Sequence, residues 1–201
     1  MHRRSATEEL IQRVLREDYV KLEVERYTMA EDVAKDSRCT VTVELAPFKD
    51  QVVADSWSGT GVGFVDALYH GLVDHYAPEY PSLRTITFTG FEVTGRMNTG
   101  HSQGTDAECL VTLLVNNTED RVFRFEQAER SLVAAALKVV VEAAEYFINS
   151  ERAYVTVYRA LCDARERNRP DLLDTYGAQL AELVKTTSYS EVIERIKHDT
   201  A

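Results

Sequence analysis

The chain has 201 residues, 44% of them hydrophobic, enough to bury a core without disulfides or a structural metal. Its 33 acidic residues outnumber its 23 basic ones, and the net charge of −10 repels phosphate backbones at long range, which argues against nucleic acid as a partner. Cys39, Cys109 and Cys162 lack metal-ligand spacing and read as reduced thiols. No stretch approaches 18 uncharged apolar residues, so no signal peptide or membrane span is predicted, and the expected compartment is the cytoplasm.

An N-terminal helical segment is predicted over residues 1–17. Tyr19 to Tyr27 then alternates, with Val20, Leu22 and Val24 on one side and Lys21, Glu23 and Glu25 on the other. After a polar connection, Cys39, Val41, Val43 and Leu45 repeat the alternation opposite Thr40, Thr42 and Glu44. Gln51 to Ser58 reads as a third strand, completing an antiparallel meander. Gly59-Thr-Gly61-Val-Gly63 ends that strand, and a helix follows whose buried stripe is Val65, Leu68, Leu72 and Tyr76. Pro78 and Pro81 stop it.

The pattern then restarts. Leu83 to Gly95 is predicted as a strand with Ile86 and Phe88 inward and a bulge at Gly90. Ala107 to Val115 is a second, with Cys109, Val111, Leu113 and Val115 on one face. Asn116 to Asp120 turns the chain into a short third strand, Val122 to Phe125. A helix from about Glu126 to Asn149 carries Leu132, Ala136, Val139, Ala143 and Phe147 as its stripe. Beyond it, Glu151 to Arg169, Leu172 to Lys185 and Ser190 to Lys197 are predicted as three further helices, with Tyr154, Val157 and Leu161 inward on the first. The predicted fold is α+β: two strand-strand-strand-helix units over residues 18–150, then a helical C-terminal appendage, 151–201.

Three stretches resemble the regulatory domain of 2-isopropylmalate synthase and citramalate synthase. They are Gly61-Val-Gly63-Phe-Val65-Asp66-Ala67-Leu68, the strand start Gly104-Thr105-Asp106-Ala107, and the helix carrying Ser131, Ala135, Leu137, Glu145 and Tyr146. The resemblance implies two such units related by a pseudo-twofold, in a homodimer that binds a branched-chain amino acid. This chain departs from the family at Val62 and Phe64, where asparagine and proline are usual, and in a longer Thr94–Gln103 loop.

A free amino acid needs an anion site, a cation site and an apolar pocket. Glycines at a helix start expose backbone N–H groups and the positive end of the helix dipole, so Gly61 and Gly63 are the candidates for the carboxylate, and Gly104 of the second motif is a further ligand-binding candidate. Asp66 or Asp106 would meet the ammonium, Val65, Phe88, Phe91, Ala107 and Cys109 would line the pocket, and Ala67 is a further ligand-binding candidate. Equally, Gly-x-Gly between strand and helix serves as a tight turn, and the two aspartates serve as caps. Asp66, His70, Asp74 and His75 share one helical face, which a solvated polar stripe explains without a metal; neither metal nor cofactor is expected.

No nucleophile elbow, phosphate-binding lysine loop or zinc-binding His-Glu-x-x-His helix occurs. The synthases do their chemistry on a (β/α)₈ barrel of about 250 residues, which this chain has no room for. No enzymatic activity is therefore expected. The leading expectation is a regulatory, amino-acid-binding homodimer acting on a separate catalytic subunit. The alternatives are a ligand-free dimeric scaffold whose helical tail binds a partner, and a small enzyme on a repurposed pocket.

Overall fold

In the computed structural model, residues 6–34, 36–47, 55–96, 108–186 and 188–199 are described. Helix α1 spans Ala6–Leu15. Strands β1 (Val24–Asp32), β2 (Arg38–Leu45) and β3 (Ser56–Val62) lead into helix α2 (Phe64–Tyr76). Strands β4 (Thr87–Arg96), β5 (Glu108–Asn116) and β6 (Val122–Glu129) lead into helix α3 (Leu132–Glu166), followed by α4 (Pro170–Leu183) and α5 (Ser190–Asp199). Each strand trio forms its own antiparallel sheet, ordered β1-β2-β3 and β4-β5-β6. The doubled strand-strand-strand-helix order is therefore the architecture of the chain.

The middle strands carry the core, because a strand flanked on both edges buries its whole inner face. Cys39, Val41 and Val43 are fully buried, as are Val111, Leu113 and Val115. Helix α2 lies on β3 and β2, α3 lies on β5 and β6, and the two helices touch. Cys39, Cys109 and Cys162 are all free thiols; burial, helped by Glu31, pushes the Cys39 thiol up and leaves it unreactive.

Several boundaries differ from the sequence reading. The first strand begins at Val24, not Tyr19. Residues 20–22 are extended, but their backbone bonds go to α3: Val20 N–H donates to Asn149 Oδ1 (2.8 Å), Asn149 Nδ2 donates to the Val20 carbonyl (2.7 Å), and Leu22 N–H donates to Glu145 (2.9 Å). An extended segment packed on a helix alternates like a strand without being in a ladder. The third strand runs Ser56–Val62 and contains Gly59 and Gly61; residues 51–54 of the predicted strand lie outside the described residues. Residues 81–85 form a 3₁₀ turn before β4, and the pairing shifts between Phe88 and Gly90, the predicted bulge.

Strand β6 is eight residues long, so α3 starts at Leu132, with the Ser131 hydroxyl accepting from Ala134 N–H. Leu132 is exposed, outside the buried stripe that Ala136, Val139, Ala143 and Phe147 do form. Helix α3 also runs unbroken through the predicted boundary at 150. Asn149, Ser150 and Glu151 look like a helix terminus in sequence, but each is buried with a partner elsewhere in the fold. The helix ends where Asn168 takes positive φ and Arg169 N–H reaches back to the Ala164 carbonyl (2.9 Å), a left-handed C-terminal cap.

The appendage is consequently built around the distal half of α3, and it includes the N-terminal helix. Leu10, Ile11 and Leu15 of α1 join Tyr154, Val157, Leu183, Tyr189 and Val192 in a second hydrophobic cluster. Tyr189 stacks on Tyr154 with ring centroids 4.3 Å apart and shares a 2.6 Å hydrogen bond with Ser150. Asn117, in the β5–β6 turn, donates through Nδ2 to the Thr186 carbonyl (2.8 Å), tying the chain after α4 to the second sheet.

Candidate functional site

The site begins with close backbone packing. Helix α2 lies so near β3 that a Cβ on Gly59 would sit 2.0 Å from the Ala67 carbonyl oxygen, and one on Gly61 would sit 2.6 Å from Ala67 N. Gly71, on the facing side of α2, would likewise place a Cβ 2.7 Å from the Gly59 Cα. These three glycines let a helix rest directly on a strand backbone. Ala67 is buried in that contact.

Gly63 does something different. It has φ +81° and is the N-cap of α2, with open space where a Cβ would be. Having no side chain, it leaves the first amides of α2 uncapped. Two nearby amides are already used. Val62 N–H donates to Asp66 Oδ2 (2.8 Å), and Gly63 N–H donates to the Ser37 carbonyl (2.9 Å) in the β1–β2 hairpin. The amides expected from Gly61-Val62-Gly63 are thus partly consumed, and the orphan donors move on to Phe64 and Val65, which have no acceptor within the helix.

The start of α2 lines a cleft of about 590 Å³ that it shares with the start of β4. Its walls include Gly63, Phe64, Val65, Asp66, Tyr69 and Phe88. Tyr69 and Phe88 pack with ring centroids 4.5 Å apart, and the Tyr69 hydroxyl donates to the Ile86 carbonyl (3.0 Å), which fixes the ring against β4. Burial raises the Tyr69 phenol, so it stays neutral. The Asp66 carboxylate lies 3.7 Å from His70 Nδ1. The cleft therefore offers helix-terminal donors, one carboxylate and an aromatic wall.

Of the residues chosen from sequence, Gly63, Val65, Asp66 and Phe88 meet in this cleft. Gly61 lies beneath Asp66 as a packing residue. Phe91 is 39% exposed on β4, and the half-buried Cys109 thiol donates to the Glu129 carbonyl; neither lines the cleft. Gly104, Asp106 and Ala107 lie outside the described residues. Tyr69 was missed, although its place one turn beyond Val65 was a usable signal. The polar stripe of α2 divides: Asp66 faces His70, while His75 bonds Asp55 (3.1 Å), which also accepts from the Tyr76 hydroxyl (3.0 Å). Among the described residues no three His, Cys, Asp or Glu side chains gather to hold a metal, and no helix is long and apolar enough to cross a membrane.

Comparison with models of known protein families and with curated proteins finds no match to this chain.

Proposed function

We propose that the chain is a non-catalytic regulatory module that binds a branched-chain amino acid or related small acid and works as a homodimer on a separate catalytic subunit. The observation that carries this reading is the uncapped start of α2 opening into an apolar cleft beside a carboxylate. The Phe64 and Val65 amides would take the ligand carboxylate, Asp66 its ammonium, and Phe88, Tyr69 and Val65 its side chain. Dimerisation has separate support. Phe91 and Val93 pair with the fully buried Leu113 and Val111 across the sheet, yet are 39% and 48% exposed, because α3 covers β5 and β6 but leaves the inner face of β4 open.

Thermal unfolding against the twenty amino acids and common 2-oxo and 2-hydroxy acids tests the reading. A ligand at a hundred times its Kd adds about 2.7 kcal/mol, or roughly 5–10 °C in Tm for a chain this long. Leucine, isoleucine or valine should give that rise. Asp66→Asn keeps an acceptor for Val62 N–H but loses the charge, and should weaken the response about tenfold or more. No rise with any compound refutes ligand binding. That outcome favours the second reading, a ligand-free dimeric scaffold, whose support is that Asp66 already turns its own carboxylate to the amide beside the helix start.

A further inference from the structure

The α2 cleft holds a second ionisable side chain to which amino-acid binding alone gives no role. His70 lines the cleft together with Asp66, Tyr69 and Phe88. Its Nδ1 lies 3.7 Å from Asp66 Oδ2, the same oxygen that accepts from Val62 N–H. The two residues are one helical turn apart, so their side chains are neighbours by construction. The Val62 amide holds the carboxylate in place while the charge on the imidazole changes.

Among the described residues that line the cleft, Asp66 is the sole carboxylate. The Tyr69 ring is 6.0 Å from that of His70, and burial keeps its phenol neutral. From β4 come Thr87 and Phe88, and from β3 comes Val62, none of them charged. Asp74, the next carboxylate along this face of α2, is exposed and lies outside the cleft lining. Imidazole is the side chain whose charge changes between about pH 5 and about pH 8. Neutral, it leaves the Asp66 charge standing; protonated, it offsets that charge from 3.7 Å away.

We infer that His70 sets which small acid the cleft takes: a 2-amino acid when the imidazole is neutral, and also the 2-oxo acid of the same side chain when it is protonated. With His70 neutral, Asp66 attracts an ammonium and repels a ligand that carries only a carboxylate. With His70 protonated the pair has no net charge, so the amino acid loses its advantage and the oxo acid is no longer turned away. The inference rests on the α2 cleft as the binding site and adds the group that controls its selectivity. A proton on His70 and an ammonium on the ligand compete for one carboxylate, so each weakens the other by the same factor. The side chains are 53% and 41% exposed, which limits the effect to about fivefold in affinity.

Isothermal titration of the full chain with leucine and with the 2-oxo acid of leucine, at about pH 5.5 and about pH 8, tests the assignment. Neither probe changes its own charge over that range, and the ratio of their affinities cancels what titration elsewhere does to the fold. The ratio of leucine affinity to oxo-acid affinity should fall about fivefold from the higher pH to the lower. His70→Gln should hold the ratio at its high value at both pH values, and His70→Lys should hold it at its low value. A ratio indifferent to pH, a fall that persists in His70→Gln, or no oxo-acid binding at about pH 5.5 overturns the inference while leaving the α2 cleft as the leucine site. Binding of neither probe at either pH overturns the cleft itself, and the role of His70 with it.

Discussion

Replacing Gly59 by alanine tests the most consequential contact in the molecule, the seat of α2 on β3. The new Cβ would lie 2.0 Å from the Ala67 carbonyl oxygen, 2.6 Å from Gly71 N and 2.7 Å from the Gly71 Cα. All three are backbone atoms, so no rotamer change relieves the overlap. Helix α2 must lift by roughly 1 Å, and a gap of 0.5–1 Å forfeits about a quarter to a half of each dispersion contact across it. The residues losing contact are Ala67, Leu68 and Leu72, each at most 3% exposed. Overpacking costs about 1–3 kcal/mol, and a clash with backbone on all sides belongs at the upper end, about 3 kcal/mol. For a chain of this length that lowers Tm by about 6–12 °C.

Three further alanines calibrate the result. Gly61→Ala meets the movable Asp66 carboxylate at 2.4 Å but also Ala67 N at 2.6 Å, and should cost about 2 kcal/mol. Gly63→Ala meets nothing, so its cost is conformational, about 1–3 kcal/mol for holding positive φ. Gly177→Ala, in α4 with open space around it, should instead stabilise by about 0.5–1 kcal/mol. Urea unfolding followed by circular dichroism measures all four. Gly59→Ala within about 0.5 kcal/mol of wild type, the size of an ordinary surface substitution, would refute the close approach and with it the geometry of the cleft.

The proposed homodimer should fall to monomer by light scattering on Phe91→Asp with Val93→Asp, with unchanged far-ultraviolet dichroism. A variant that stays dimeric removes β4 from the interface. Asn117→Ala deletes two acceptor bonds, from Glu119 and Arg121 N–H, and the donor bond to Thr186; it should cost about 2–3 kcal/mol and speed proteolysis after α4. The Glu145 carboxyl is held above the usual range, first by burial, against the opposing Leu22 N–H and Tyr19 bonds. The folded chain therefore keeps this proton to higher pH than the unfolded chain, so the contribution of Glu145 falls as pH rises through the weakly acidic range. Glu145→Gln should gain on wild type in urea midpoint as pH rises through the weakly acidic range, and a gap independent of pH would contradict the shift.

The elements that were legible in the sequence are those whose burial follows a single period. Strand β2 could be read residue by residue, because one face meets α2 and the other meets water. Helix α2 was equally plain from Leu68, Leu72 and Tyr76. Errors arose where a residue's partner lies far along the chain. Nothing near Asn149 announces that its side chain will hold Val20, 129 positions earlier, so a buried polar residue inside a helix read as a helix end. The same contact made residues 20–22 read as strand. That α1 belongs with the C-terminal helices was also hidden, since its apolar stripe looks alike whichever surface it covers.

The candidate site shows how one motif can hold two kinds of glycine. In Gly61-Val-Gly63 both residues read as backbone donors for an anion, yet the structure separates them. Gly61 is small because α2 and Asp66 press on it, and Val62 between them gives its amide to Asp66. Only Gly63 is left with a conformation that other residues avoid and with empty space beside it. A residue needed only to complete a turn gains nothing from open space over a helix start; a residue at the mouth of a binding cleft does. If the cleft binds a ligand, Gly63→Ala should therefore reduce affinity by more than its loss of stability accounts for, while Gly61→Ala should reach affinity only by displacing the Asp66 carboxylate, a smaller loss. Measuring Kd for the best amino acid in both variants, at a temperature where each is fully folded, decides the point. Equal losses of affinity would mean that the motif is a hinge for α2 and nothing more.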